Sequence, residues 1–412
     1  MVSFFMPSLC RHLCYHCGMK ARYQYRIYPT DQQRLGLAKL FGCCRVVWND
    51  ALGLVKSTPE GEKWPSSAEL QKICITQAKQ AEGREWLSEV SNIPLQQSIQ
   101  DLGTAFKNFF DSRKGKRKGP RVGFPRFKKK LNQQSARFTR GGFSLKEAKV
   151  YLAKIGEIKT KWSRPLPSEP SSVTVIKDCA GRYFLSFVVE VEPITVEPKN
   201  QGVGVDLGIE TLATLSTGEK IKAPNTGHLD RHIRKGKRKL ARAMKDSKRR
   251  ESLRVAVARM DAKQRDIRKD FNQKLATRLV RENSVVVLED LNVSGMVKNR
   301  CLSRAISRAG WRQIRTMCEA NANMINDREV RTISRWEPTS QKCSCCGYRW
   351  GKLDLSVRSV LCLNCGAEHD RDHNASVNIL AAGQADPNGQ TLSRVRPQSG
   401  AVACLSTHQE SA

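Results

Sequence analysis

Four cysteines stand in two pairs at metal-ligand spacing. Cys343 and Cys346 form one C-x-x-C, Cys362 and Cys365 form a second, and each pair is followed by a glycine, Gly347 and Gly366. Tetrahedral Zn²⁺ takes four thiolates from two such knuckles, and glycine permits the tight turn each knuckle needs. A redox dithiol would need only one C-x-x-C, so the spacing predicts one structural zinc. Cys345 is the ambiguity, since it could replace Cys346 only through a strained C-x-C. Four protein thiolates leave no open coordination position, so reaction chemistry must come from other residues.

Three carboxylates can supply it. Asp206 ends a strand pattern that begins at Gly202, Glu289 ends the apolar run 285–288, and Asp372 stands at the start of a helical pattern carrying Asn374, Ala375, Asn378 and Ile379. Aspartate at a helix start also makes a good N-cap, so each acid alone is a weak signal. Their order (first strand, later central strand, terminal helix) is the layout of an RNase H-like metal-ion nuclease. Three carboxylates can hold two Mg²⁺ ions roughly 3.5–4 Å apart, one activating water and the other stabilising the leaving oxygen. Strand alternation sends Asp290 to the face opposite Glu289. Periodicity does not separate Asp370 from Asp372.

These groups need large elements to position them. The chain has 412 residues, which corresponds to about three structural units. Lys and Arg number 72 against 39 Asp and Glu, a formal charge of +33. Such an excess implies a polyanionic partner, most simply nucleic acid. Hydrophobic residues make up 39%, enough for buried cores and against full disorder. Fifteen cysteines spread over this length form no dense disulfide framework. Apolar runs such as 285–288 fall far short of the ~20 residues of a membrane helix. The N-terminus has Pro7 within its apolar stretch and no Lys or Arg before it, so the signal-peptide pattern fails. A soluble protein of the cytoplasm or nucleoid, without a membrane partner, is expected.

Along the chain, 21–28 alternates as a strand, and a helical pattern from Asp31 runs to about 110 with breaks near Pro59, Pro65 and Pro94. Residues 113–130 hold ten Lys/Arg and no acid, kinked by glycines and prolines and interleaved with Phe124 and Phe127. Lys116, Arg117, Lys118, Arg121, Arg126, Lys128 and Lys129 are therefore candidate contacts to a phosphate backbone. Short strands follow over 136–192, with a hairpin at 173–176 and 183–189 and a linker at 192–198. Residues 231–250 carry eleven Lys/Arg against the single acid Asp246, at helical spacing. Arg234, Lys235, Lys237 and Arg238 of that basic helix are further phosphate candidates. A helix is expected at roughly 303–327 and a strand at 330–334. The tail 384–412, rich in Pro, Gly, Ser and Gln, reads as disordered.

The segments 204–209, 288–293, 337–341 and 370–375 resemble the motifs of the insertion-sequence OrfB/TnpB family, transposon-encoded relatives of type V CRISPR effectors. Residues 123–128 resemble that family's basic loop, and the likeness runs from about 19 to 379. It implies an α+β multidomain chain: a wedge-type β-barrel from 19–28 plus 130–192, and a helical recognition lobe at 29–129. A RuvC-like nuclease domain would occupy 199–340 and 369–383, with the zinc ribbon at 341–368 inserted to bind target nucleic acid. The family's third acid is the second Asp of the D-R-D run, which selects Asp372. Family members begin near Met19, so 1–18 reads as a disordered extension rather than a metal tract, despite Cys10, His12, Cys14, His16 and Cys17.

The implied activity is RNA-guided DNA cleavage by Mg²⁺-dependent phosphodiester hydrolysis, in support of transposition. A guide RNA from the transposon would pair with double-stranded target DNA while the protein reads a short adjacent motif. Two other classes compete. A nucleic-acid-binding regulator without cleavage would be signalled by a missing acid, and all three are present. A transposase or its accessory protein working by a tyrosine nucleophile would need a paired-His metal motif, and none is visible.

Overall fold

The computed structural model describes residues 19–117, 121–354 and 356–385. The extension 1–18, the candidate contact Lys118 and the tail from 386 lie outside the described residues. Two compact units are present, one of residues up to Glu192 with Lys235–Arg259, the other of Pro193–Arg234 with the chain from Met260 onward. Among the described residues no helix is long and apolar enough to cross a membrane.

In the first unit, strand β1 (Met19–Ile27) leads into helix α1 (Asp31–Ser57). Thr30 and Gln33 cap that helix reciprocally, each side chain accepting the other's backbone N–H at 3.3 and 3.1 Å. One stripe of α1, including Leu37, Leu40, Phe41 and Val47, is buried. Helix α2 (Ser67–Gln71) follows, then α3 (Asn92–Arg113). Pro94 begins α3 rather than breaking it, because a first-turn N–H has no intrahelical acceptor to lose. Six strands complete the unit: β2 (Gln134–Thr139), β3 (Phe143–Lys146), β4 (Lys149–Leu152), β5 (Gly156–Lys161), β6 (Ser172–Lys177) and β7 (Tyr183–Val191). With β1 they form one sheet in the order β2-β6-β7-β1-β5-β4-β3. The two edge strands are joined by residues 140–142 alone, a span of at most ~15 Å, so the sheet curls until it nearly closes.

The second unit is built on a five-stranded sheet, order β10-β9-β8-β11-β12. Its strands are β8 (Asn200–Asp206), β9 (Ala213–Leu215), β10 (Lys220–Ile221), β11 (Asn283–Glu289) and β12 (Glu329–Ile333). Strand β11 runs parallel to both β8 and β12, and β9 folds back antiparallel on β8. Helices α4 (Gly227–Arg242) and α5 (Lys248–Glu282) lie between β10 and β11 in the chain. The single basic helix expected over 231–250 is therefore two. Asp246 takes a left-handed φ of 61° at the break, and Arg250 donates to the Leu240 and Ala243 carbonyls that end α4. The helix expected over 303–327 is also divided. After the short helix α6 (Val293–Met296), α7 (Ser303–Ala309) and α8 (Trp311–Ala322) replace it, with Gly310 at φ 68° separating these two. The short strands β13 (Ser359–Leu361) and β14 (Glu368–Asp370) precede the terminal helix α9 (Arg371–Gln384).

The sheet has two apolar faces. Val203, Val205, Val286 and Leu288 pack with Leu275, Leu279 and Ile314 on one side. Val287 and Ile333 pack with Ile379 of α9 on the other. Helix α9 approaches closely because glycines line the contact. A Cβ on Gly204 would lie 2.1 Å from the Ser376 carbonyl oxygen, and one on Gly383 would lie 2.3 Å from Val287 Cγ1.

Gly204→Ala should therefore lift α9 from the sheet, at a cost of about 1–3 kcal/mol or more for the overpacking. Hydrogen exchange across 371–384 should accelerate and the thermal midpoint should fall. Gly42→Ala on α1, where a Cβ meets nothing within 4 Å, should be neutral or stabilising by about 0.5–1 kcal/mol. Unchanged exchange in Gly204→Ala would contradict the close packing.

Candidate metal and carboxylate centre

The register of the sheet sets the first two acids side by side. Leu288 pairs with Val205 across the parallel β8–β11 ladder, so Glu289 and Asp206 are the next residues at its carboxyl edge. Side chains alternate along a strand. Asp206 thus shares the face of Gly204, and Glu289 shares the face of Val287, which is the α9 face for both. The third acid follows from the helix. Gly204 abuts Ser376 and Leu380, and Gly202 abuts Leu380 and Gln384, so α9 runs antiparallel to β8. Two strand residues advance ~6.6 Å and four helix residues ~6 Å, so the next step pairs residue 206 with residue 372.

The electrostatics match that geometry. Burial first, then the charge of Glu289, then that of Asp372, push the Asp206 carboxyl up to about 7; Arg371 and the Leu207 N–H pull the other way. Burial also raises Glu289, against the hydroxyl of Thr339, which donates to Glu289 Oε1 at 2.6 Å. Arg358 reaches Asp372 at 3.6 Å. A carboxyl raised by burial and then by two like charges is one that a divalent cation would relieve, and an all-oxygen donor set suits a hard cation such as Mg²⁺. The three carboxylates do not gather within 4.8 Å of one another as the thiolates described below do.

The neighbouring acids are engaged elsewhere. Asp290 pairs with Arg315 at 3.0 Å and with Arg335. Asp370, not Asp372, is the N-cap of α9, accepting the His373 N–H at 2.9 Å and pairing with Lys220 at 2.6 Å. Burial alone would raise Asp370, but the Lys220 and His373 bonds bring it net below its usual range.

The four cysteines come together. Cys343, Cys346, Cys362 and Cys365 place their sulfurs within 4.8 Å of one another, with the closest pairs at 3.7 Å (Cys343–Cys365) and 3.6 Å (Cys346–Cys362). Four thiolates at ~2.3 Å from a tetrahedral zinc would stand about 3.8 Å apart, so the cluster fits that ion. The knuckles repeat one geometry. Gly347 N–H donates to the Cys343 carbonyl and Gly366 N–H to that of Cys362, both at 2.9 Å, and the two glycines take φ of 77° and 68°. Cys345 belongs to a second group, with Cys343 and His369.

Several residues gain roles that spacing did not reveal. His369 Nε2 lies 3.0 Å from Cys343 Sγ, placed to donate to a zinc-bound thiolate. Asn374 receives the Ser344 N–H and donates to the Lys342 carbonyl, both at 2.8 Å. Asn378 donates to the Thr339 and Lys342 carbonyls at 2.8 and 2.9 Å. The available signal was two asparagines four apart on the buried face of a terminal helix.

The basic candidates divide. Lys116, Arg117, Arg121, Arg126 and Lys129 are exposed. Lys128 is not on that surface. Its ammonium lies 3.9 Å over the Trp48 ring, burial holds it below its usual range, and its backbone is clamped by Asn49 at 2.8 and 3.1 Å. Phe124, though exposed along one side, packs against the rings of Phe106 at 5.3 Å and Phe109 at 5.4 Å. Arg234, Lys235, Lys237 and Arg238 are all exposed on α4.

Two outcomes are expected. Elemental analysis should find one zinc per chain, lowered by Cys343→Ser or Cys362→Ser but not by Cys345→Ser, because a lost thiolate removes much of the ~10–16 kcal/mol apparent binding energy. Folded, zinc-free wild type would refute the site. Asp206 titrates higher folded than unfolded, so the metal-free protein loses stability as pH rises from about 4 through about 7. Asp206→Asn should flatten this slope and raise the midpoint at pH 8 in chelator, by roughly 2–4 °C per kcal/mol recovered. Superimposable melting curves would remove the carboxylate repulsion.

A family model described as "Probable transposase" (OrfB IS605) matches residues 186–300. One described as "Cas12f1-like, TNB domain" matches 311–379. A third, "Helix-turn-helix domain", matches 19–61, a stretch that here folds as β1 and the single long helix α1. The "Putative RNA-guided DNA endonuclease" of Streptomyces pristinaespiralis is 44% identical over 373 residues, covering 89% of this chain and 90% of that one. The "Putative RNA-guided DNA endonuclease InsQ" of Escherichia coli (strain K12) is 30% identical, covering 88% and 92%. The protein of a structure described as the Cas12f1-sgRNA-target DNA complex shares the fold at TM-score 0.51 and 12% identity, covering 90% of this chain and all of that one. With relatives that alike over nearly their whole length, the chain belongs to the OrfB IS605 transposase family.

Proposed function

We propose that this protein is an insertion-sequence-encoded, RNA-guided DNA endonuclease that cuts target DNA by Mg²⁺-dependent phosphodiester hydrolysis. One observation supports the reading: Asp206 and Glu289 stand side by side at the carboxyl edge of the β8–β11 ladder, on the face covered by α9, which carries Asp372. Relatives bearing that activity in their names, over nine-tenths of their length, support the guide and target assignments. Residues 199–340 and 369–383 then form a RuvC-like nuclease domain, with the ribbon 341–368 inserted ahead of its last helix to meet target nucleic acid. The pairing of β1 with both β5 and β7 supports a wedge-type barrel made of 19–28 and 130–192, interrupted by the helical lobe 29–129.

Bound Mg²⁺ would activate water and stabilise the leaving oxygen. The protein's part is to present three anionic carboxylates to it. Thr339 fixes the rotation of Glu289 by donating to Oε1, and that hydroxyl is itself on a segment tied to α9 by Asn378. The exposed cations of 116–129 and 234–238 would grip phosphate backbones without reading sequence, which suits a protein that leaves sequence choice to a guide RNA. The guide would come from the transposon, and cleavage would support transposition.

Alanine at Asp206, Glu289 or Asp372 should reduce plasmid cleavage with the cognate guide to background while guided binding persists. Asn should be nearly as damaging, since it keeps the shape and loses the charge that holds a hard cation. Asp290→Ala and Asp370→Ala should still cut, as their carboxylates face arginines and Lys220. Cleavage surviving in Asp372→Ala but lost in Asp370→Ala would reassign the third acid. Wild type that binds guide and target and never cuts would favour a regulator.

A further inference from the structure

A cleft of about 610 Å³ opens beside α8, within the range of small-molecule sites. Arg265 and Arg268 of α5, Arg308 of α7 and Arg312 of α8 line it, and no acidic side chain does. Its apolar wall is made by Val293, Ile306, Trp311 and Met317. Two of the cations are already compensated: Arg308 pairs with Asp230, which Gln264 also holds at 2.6 Å, and Arg265 has Asp266 at 3.7 Å. Arg268 and Arg312 form no ion pair among the described residues. Arg268 Nε is buried without a hydrogen-bond partner, a loss of about 1–3 kcal/mol. Burial and the nearby charge of Arg308 both hold the Arg268 guanidinium below its usual range.

The helix adds a second source of positive potential. Gly310, at the N-cap of the twelve-residue α8, provides no side chain to accept the first N–H groups, and residues 310–313 all face the cleft. Uncapped N–H groups and the helix dipole favour an anion there. An anion alone would not need the apolar wall. A cationic rim over an apolar wall suits a phosphate joined to a sugar and base. The cleft is tied to the end of β8 as well, because the Trp311 indole donates to the Gly208 carbonyl at 3.2 Å, two residues beyond Asp206.

We propose that this cleft is a deoxynucleotide subsite. It would hold one nucleotide of the strand being cut, the phosphate against Arg268, Arg312 and the start of α8, the base and sugar against Trp311 and Met317. Its connection to Gly208 would then set where the next phosphodiesters lie relative to Asp206. The assignment to the cut strand rests on the nuclease reading; the existence of a nucleotide site does not.

Calorimetric titration of the full chain with deoxyadenosine 5′-monophosphate, without guide, target or divalent cation, separates the two. Saturable binding at one site per chain is expected, weakened about tenfold or more by Arg312→Ala, as for loss of a charge-assisted hydrogen bond. Arg268→Gln should act in the same direction. Arg34→Ala, which removes one exposed cation on α1, should leave the affinity unchanged. Arg312 is exposed at the rim, so its variant keeps the test sound if the variant of half-buried Arg268 fails to fold. Inorganic phosphate binding as tightly as the nucleotide would overturn the nucleotide assignment. Equal weakening in Arg34→Ala, or no saturable binding, would overturn the site. Tighter binding of adenosine 5′-monophosphate than of the deoxy form would overturn the cut-strand assignment.

Discussion

Helix α9 rests on the backbone of β8 at Gly204 as well as on apolar side chains, and the arrangement of the candidate acids depends on that contact. At Gly204 the strand has no Cβ, so the Ser376 carbonyl occupies the space a side chain would fill. A helix held that close cannot slide or rotate without colliding with the strand. Four helical residues rise nearly as far as two strand residues, so one contact at 204 and 376 determines its neighbour at 206 and 372. Position 204 and its partner across the sheet, Val287, also fix which face receives the acids, since Asp206 and Glu289 each lie two residues further along.

The cost of this arrangement is electrostatic. Burial of Asp206, and then the charges of Glu289 and Asp372 on the same face, leave it a carboxyl shifted to about 7. The surrounding structure holds the acids against that repulsion. Thr339 bonds Glu289, Asn378 holds the Thr339 carbonyl, and Asn374 ties α9 to the first zinc knuckle at Ser344 and Lys342. The ribbon is thereby part of the same hydrogen-bonded framework as the acids. A thiolate-bound ion that does no chemistry can still order the loop from which Thr339 reaches the site.

The first unit solves a different problem, that of holding a cationic loop in a defined shape. Segment 121–129 has neither helix nor strand, yet Trp48 and Asn49 of α1 bond its backbone at Arg126 and Lys128, and Phe124 packs among the aromatic side chains of α3. Two of its most conspicuous residues, Lys128 and Phe124, are therefore anchors. The remaining cations project from a scaffold that those anchors make rigid, which lowers the entropy lost when a phosphate backbone is bound.

Local chemistry was legible in the amino-acid order alone. Thiolate spacing announced the four-cysteine cluster because a knuckle is closed by a few consecutive residues and its glycine. The strands at 200–206, 283–289 and 183–191 were visible because burial leaves a short-range pattern of apolar residues. The side taken by Asp290 followed from alternation. Other features needed the folded chain. The breaks at 243–247 and at Gly310 lay inside patterns that read as continuous helix, because basic side chains at helical spacing do not record where an arginine will cap a carbonyl. Periodicity did not separate Asp370 from Asp372 in the D-R-D run, and only the family resemblance selected Asp372; the position of Asp372 relative to Asp206 depends on where α9 touches β8, some 170 positions away in sequence. The same holds for Lys128, whose charge suggested solvent and whose burial against Trp48 is set by α1. Sequence spacing determines what neighbours in the chain can do together, whereas the roles of these residues depend on contacts between distant segments, which only packing creates.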